Sequence, residues 1–262
     1  MIDTHSHLFA EEFDDDRAEV VARAKEAGVE RIVMPNIDST SVERMLEMCR
    51  DYPGYCYPTI GLHPTSVTTE NMEEELAVVE RYLKEQAHTF VAIGEIGLDL
   101  YWDRTYLNEQ LQILRKQFDW AIEYDLPVII HCRDAWKELF ECMEPYKTKG
   151  LRGVFHSFTG GKEEAREMLT YNSFVTGING VVTFKKSTLP EVLKHIPVER
   201  LVLETDSPYL APVPNRGKRN ESANVKFTLQ KIADVYDMEI DKLEEITTKS
   251  AQRLFKWTDL FC

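Results

Sequence analysis

Eight short apolar runs recur along the chain, each followed by a stretch of helical periodicity. That alternation limits the fold more than any other feature. The runs cover residues 2–7, 31–35, 57–62, 90–98, 127–131, 153–158, 174–178 and 201–205. They are rich in Val and Ile and flanked by Gly or Pro, as strands buried on both faces of a parallel sheet are. Residues 11–27, 41–51, 72–86, 108–124, 136–143, 163–171 and 189–195 read as the intervening helices, and 224–236 and 241–255 follow the last strand. The helix at 11–27 places Val20, Val21 and Ala24 on one face and stops at Gly28. The longest segment without periodicity is 208–222. Eight strand–helix units in 262 residues point to an α/β fold, a (β/α)8 barrel, with a doubly wound open sheet as the alternative. No Ser/Gly-rich linker or low-complexity tract marks a boundary, so a single domain over residues 1–262 is expected.

Charge and cysteine usage narrow what such a barrel can meet. The formal net charge is −14, from 31 basic and 45 acidic residues. A surface that acidic does not embrace duplex DNA over a broad face, because phosphate binding needs clustered Lys and Arg. A small cleft whose local charge is reversed by metal ions stays open. No apolar run reaches the ~18–20 residues of a membrane span, and the opening MIDTHSHLFAEEFDDD has no features of a secretory leader. The five cysteines, Cys49, Cys56, Cys132, Cys142 and Cys262, are scattered with no CxxC pair. Free thiols, a cytoplasmic location and no membrane contact are the expectation.

Five of the seven histidines fall at or just past the C-terminal end of an expected strand: His5, His7, His63, His131 and His156. In a (β/α)8 barrel those strand ends are where active sites are built. Residues two apart on a strand face one way, so His5 and His7 can reach one ion. Glu95 sits among apolar residues and glycines in VAIGEIGLD, where an unpaired carboxylate is costly and calls for a cation or several donors. His131 and His156 each end an apolar run, and Asp206 closes LETDSP. Singly these residues fit structural roles: satisfied core histidines, an ion-paired glutamate, and an Asx turn before Pro208. Together they make a ligand inventory of four imidazoles and two carboxylates, too many for one tetrahedral ion with an open position. The set suits two divalent ions bridged by Glu95, which can hold a hydroxide nucleophile between them.

The segments MIDTHSHL, TIGLHP, AIGEIGLD, IHCRDA, VFHSFTG and LETDSPYLAPVPNRGKRNESA resemble, in order, the motifs of the TatD family of metal-dependent deoxyribonucleases, which belongs to the amidohydrolase-like barrel hydrolases. The resemblance runs from the first residue to the C-terminal helices. It implies a distorted barrel with two divalent metals (Mg, Mn or Zn) at its mouth, ligated by His5, His7, Glu95, His131, His156 and Asp206. It also implies hydrolysis of phosphodiester bonds in DNA, often from the 3′ end of single strands. The one departure, Cys132-Arg133 where members often carry Ser-Arg, leaves the ligand position intact.

Catalytic roles then fall to Asp206, as acceptor of the attacking water's proton, and to the bridging Glu95. His63 is a candidate donor to the phosphate. Arg133 and the loop cations Arg216, Lys218 and Arg219, three charges in four residues, are candidate phosphate contacts, or else a solvated charge cluster. Tyr101 and Trp102 stack on a base or cover the edge of the core. The expected partner is DNA, entering by single-stranded ends, with no obligate protein partner. Two other readings stay open: an amidohydrolase or esterase using the same metals on a small molecule, and a metal-stabilised binding protein without turnover.

Overall fold

A computed structural model describes residues 1–257. β1 (Ile2–Asp3), β2 (Arg31–Met34) and β3 (Cys56–Pro58) form one sheet in that order. β4 (Ile93–Asp99), β5 (Val128–Arg133), β6 (Gly153–Phe155), β7 (Phe174–Ile178) and β8 (Leu201–Leu203) form a second. Every ladder is parallel. Between β3 and β4, Val91 N donates to Pro58 O and Gly94 N to Ile60 O, both at 3.0 Å. Between β8 and β1, Thr4 N donates to Leu203 O at 3.0 Å, Asp206 N to His5 O at 2.9 Å and His7 N to Ser207 O at 2.8 Å. These bonds join the two sheets into a ring of eight strands, a (β/α)8 barrel distorted at two seams.

The helices α1 (Arg17–Glu26), α2 (Val42–Asp51), α3 (Met72–Gln86), α4 (Leu107–Glu123), α5 (Trp136–Met143), α6 (Lys162–Met168), α7 (Leu189–Leu193) and α8 (Val225–Tyr236) each follow one strand. The last helix, α9 (Ile240–Leu254), covers the N-terminal end of the barrel. No helix among the described residues is long and apolar enough to cross a membrane. Cys49, Cys56, Cys132 and Cys142 are free thiols, and Cys262 lies outside the described residues.

Several expected elements are trimmed. The run at 2–7 pairs as a strand only over Ile2–Asp3, and that at 201–205 only over Leu201–Leu203, because the seam between them is closed by single bonds and an isolated Ser6–Ser207 bridge. The helix expected from residue 11 is instead a 3-10 turn at Glu11–Phe13, with α1 starting at Arg17. Phe13 is fully buried and pins that turn, while the Arg17 guanidinium donates to the carbonyls of Leu8, Phe9 and Ala10.

Alternation along the strands sorts the core into two parts. Ile2, Val33, Ala92, Ile129, Val154, Val175 and Val202 pack with Ala251, Leu254 and Phe255 of α9. That layer fills the N-terminal end of the barrel. Their strand neighbours Ile32, Val128, Ile130, Phe155, Leu201 and Leu203 join the main cluster with the surrounding helices. One layer further along, the inward positions turn polar.

Candidate metal centre at the barrel mouth

The period of two carries the core into the site. Two residues beyond Ile129 stands His131, two beyond Val154 stands His156, and two beyond Val202 stands Glu204. On β4 the register shifts between Ile93 and Ile96, and Glu95 sits at that irregularity, 3% exposed. Gly97, two further on, has φ +147°, and a Cβ there would lie 1.9 Å from the His131 carbonyl oxygen. A side chain at Gly97 would therefore push β5 and His131 away from Glu95.

Glu95 is the hub. Its Oε2 lies 3.1 Å from His5 Nε2 and 3.7 Å from His7 Nε2. Its Oε1 lies 3.0 Å from His131 Nδ1, 3.4 Å from His63 Nε2 and 3.6 Å from His156 Nε2. Asp206 Oδ1 stands 3.6 Å from His5 Nε2, 3.7 Å from His7 Nε2 and 3.8 Å from His156 Nε2. All six residues that the sequence nominates as ligands are thus brought together, with His63 beside them. His5 and His7 face one another through their Nε2 atoms at 3.2 Å, and the rings of His5 and His156 stack with centroids 3.4 Å apart.

Two carboxylates that the sequence reading missed hold these imidazoles from behind. Asp99 Oδ2 lies 2.9 Å from His131 Nε2, so His131 is gripped at both nitrogens. Glu204, fully buried, has Oε1 3.1 Å from His156 Nδ1 and accepts the Ser157 N–H at 2.6 Å. Carboxylates in this position fix the ring and its tautomer for a metal. Gly177 leaves room for Glu204: a Cβ there would lie 2.2 Å from Glu204 Oε2. The available signal was a carboxylate closing an apolar run, as Asp99 closes β4 and Glu204 directly follows β8.

The charges follow from burial and proximity. Burial opposes ionisation of Glu95, yet His5, His63 and His156 hold its carboxyl well below the usual range. Burial alone would neutralise His156, but Glu204, Glu95 and Asp206 around it raise it to about 10. Burial and the charge on stacked His156 push His5 well below the usual value, and burial takes His7 down to about 4. His131 is raised, with Asp99 and Glu95 outweighing its burial. Burial, helped by Glu95 and Glu204 against His156, lifts Asp206 to about 7.

These residues fit divalent ions. Nitrogen and oxygen donors are the right types for zinc, manganese and related ions. Contacts of 3.1 to 3.8 Å between groups that point at one another are the edges of a shell of radius ~2.1 Å. Two Nε2 atoms at 3.2 Å share one proton at most, and a cation between donors removes that conflict. Among the described residues, three groups of donors have atoms within 4.8 Å of one another: His5, His7 and Asp206; His5, His156 and Glu204; His63, Glu95 and His131.

The other nominated residues separate into two sets. His63 and Arg133 line a cavity of about 440 Å³ together with Glu95, His131, His156 and Asp206. His63 Nδ1 accepts the Thr65 N–H at 3.2 Å, which leaves Nε2 as the donor nitrogen, aimed into the cavity. Arg216, Lys218 and Arg219 are absent from that lining and from the adjoining cavity of about 530 Å³. Arg219 is engaged elsewhere: it pairs with Asp16 at 2.7 Å, donates to Glu12 O at 2.5 Å and covers the Phe13 ring. Arg216 lies 3.8 Å from the Phe184 ring centre. Asn220, fully buried, anchors this loop by donating to Thr205 O at 2.9 Å.

The model of the family described as TatD related DNase matches residues 2–256. The chain belongs to the TatD-related DNase family. Among its TatD relatives, a Bacillus subtilis protein described as the uncharacterized metal-dependent hydrolase YabD is 42% identical over 98% of this chain and 99% of its own length. The 3′-5′ ssDNA/RNA exonuclease TatD of Pectobacterium carotovorum is 34% identical over 98% of this chain and 99% of its own. The crystal structure of the TatD homolog YjjV from Escherichia coli superposes with a TM-score of 0.90 at 27% identity, covering 98% of each chain. As a TatD-family protein the chain is a metal-dependent hydrolase, and its barrel mouth supplies the clustered donors that dependence requires.

Proposed function

We propose that this chain, acting as one domain, is a nuclease that hydrolyses phosphodiester bonds at the 3′ ends of single-stranded DNA with two divalent ions. His5, His7, Glu95, His131, His156 and Asp206 would hold the ions, with Glu95 between them. The observation that carries the reading is the convergence of five imidazoles on the Glu95 carboxylate at 3.0–3.7 Å. The exonuclease name borne by the Pectobacterium relative supports the substrate class and polarity.

Bound there, the ions supply concentrated positive charge, which acidifies water and offsets the charge building on the phosphoryl oxygens. The rest belongs to the chain. Asp206, raised to about 7 and facing the cavity, takes the proton of the attacking water at its carboxylate. His63 donates from Nε2 to a phosphoryl oxygen. Arg133, the one Lys or Arg lining either cavity among the described residues, pairs with a flanking phosphate. Arg216 and Lys218 extend that contact to strand lying beyond the cavities. The net charge of −14 favours strand ends, where few phosphates need neutralising. Four free thiols among the described residues, three of them buried, support a reducing, cytoplasmic setting.

The test is to count ions per chain in protein purified without chelators, strip them, and restore Mg²⁺, Mn²⁺ or Zn²⁺ separately. Each preparation is assayed on 3′- and 5′-labelled single strands, duplex, and a panel of amides and esters. Two ions per chain and loss of label from the 3′ end are expected. Turnover confined to an amide would overturn the reading.

A further inference from the structure

The loop after β4 carries two aromatic rings that the fold does not bury. Tyr101 is 52% exposed and Trp102 73%. Covering the edge of the core is therefore not their role. Trp102 instead lines the cavity that contains Glu95, His131 and Asp206. The backbone that carries the rings is nonetheless held in place. Asp99 Oδ1 accepts the Tyr101 N–H at 3.0 Å, and Asp103 Oδ1 accepts the Thr105 N–H at 2.7 Å. Through its other oxygen Asp99 reaches His131 Nε2 at 2.9 Å, so one carboxylate ties the aromatic loop to the candidate metal centre.

Arg133 completes the arrangement. Its guanidinium lies 3.6 Å from the Tyr101 ring centre and 5.4 Å from that of Trp102. It has no ion pair or side-chain hydrogen bond among the described residues, in a chain with 45 acidic side chains. A cation left unpaired at the mouth of a carboxylate-rich pocket is available to an incoming anion. Tyr209, 55% exposed, lines the same cavity from the loop after β8.

We propose that Trp102, Tyr101 and Arg133 form a nucleoside subsite beside the hydrolytic centre, in which an unpaired base stacks on Trp102 and its phosphate pairs with Arg133. The inference rests on the nuclease reading above and specifies the substrate further. Every base has a π face, so the subsite accepts any sequence. It requires a base outside a duplex stack, because only such a base offers its face to the indole. Small phosphodiesters that lack a base cannot use it.

The experiment compares wild type, Trp102→Ala and Trp102→Phe as metal-loaded proteins. The substrates are a 3′-labelled single strand and the same strand with abasic residues at its last two positions. On the natural strand Trp102→Ala is expected to raise KM about ten- to hundredfold, with kcat and bound metal nearly unchanged. Trp102→Phe should recover most of that loss. On the abasic strand wild type and Trp102→Ala should share one KM. The subsite is overturned if Trp102→Ala leaves KM on the natural strand unaltered, or weakens both strands equally. It is also overturned, with the nuclease reading intact, if wild type binds both strands alike. Wild type that cleaves neither strand overturns the nuclease reading and the subsite with it.

Discussion

Removing metal from this site forces a specific exchange of charge. Glu95, Asp99 and Glu204 are at most 3% exposed, and every ion-pair partner of these three and of Asp206 among the described residues is an imidazole. Without divalent ions the counter-charge must be protons, and His156, raised to about 10, is the first to hold one. A ligating imidazole is neutral, so metal and proton compete for His156. Metal affinity should then fall about tenfold for each pH unit between pH ~10 and ~7, or ~1.4 kcal/mol per unit. Below pH ~7 the Asp206 proton joins, since its carboxyl titrates at about 7, and the raised His131 adds its own, so the loss steepens to at least a hundredfold per unit. From pH 9 to pH 6 the fall is at least ~10⁴, or ~5.5 kcal/mol. Competition against a chromophoric chelator across this range measures the slope. Calorimetry at pH 8 in buffers of different ionisation heat counts the protons released. Affinity constant within twofold between pH 9 and pH 7 would refute a protonated His156 in the metal-free protein.

Other perturbations probe neighbouring claims. Metal-free protein should lose thermal stability as pH rises: a histidine raised above its ordinary value stabilises fully below pH ~6.5, and that contribution disappears as pH passes about 10. Melting curves of stripped and loaded protein at pH 7 and 10 show whether the loss is confined to the stripped form. Asp206→Asn should cut kcat by about 10²–10⁴ with the melting temperature nearly kept, because φ of +56° at this position suits Asn as well as Asp. Gly97→Ala should cost about 3 kcal/mol or more in chemical denaturation, through its contact with the His131 carbonyl and its positive φ. Arg219→Ala should leave KM alone and cost at most ~1 kcal/mol, the worth of a partly exposed pair with Asp16. Arg133→Ala should raise KM without altering stability.

The barrel was legible because buried parallel strands are continuous apolar runs, and eight of them alternating with helices fit few other architectures. Strand ends were less legible, since apolar continuity persists where the ladder stops. Ile60 and Leu62 are buried beyond β3, although pairing with β2 ends at Pro58. The same logic divides the site. His131 and His156 announce themselves as polar residues two steps past Ile129 and Val154, on a face the alternation already assigns to the interior. Glu204 obeys that rule relative to Val202, yet Asp206 two residues later draws the attention, and no local pattern says which carboxylate faces the cavity and which stands behind a histidine. That distinction is a matter of pairing between strands: Glu204 meets His156 because β7 intervenes with only a glycine, Gly177, at the crossing.

The basic loop shows where sequence and geometry part: none of its cations lines either cavity at the mouth. Three cations in four residues look like a phosphate site in a chain that is otherwise acidic, but density in sequence does not specify direction. Arg219 turns toward Asp16 and Phe13, where it closes the last loop against the first helix. Among the described residues, the Lys or Arg that does line the cavity is Arg133, a single charge whose position is set by the end of β5 and by the Tyr101 ring beneath it. In a barrel the strand a residue terminates decides whether it reaches the mouth, and that topological fact outweighs local charge in choosing which side chains can touch a substrate.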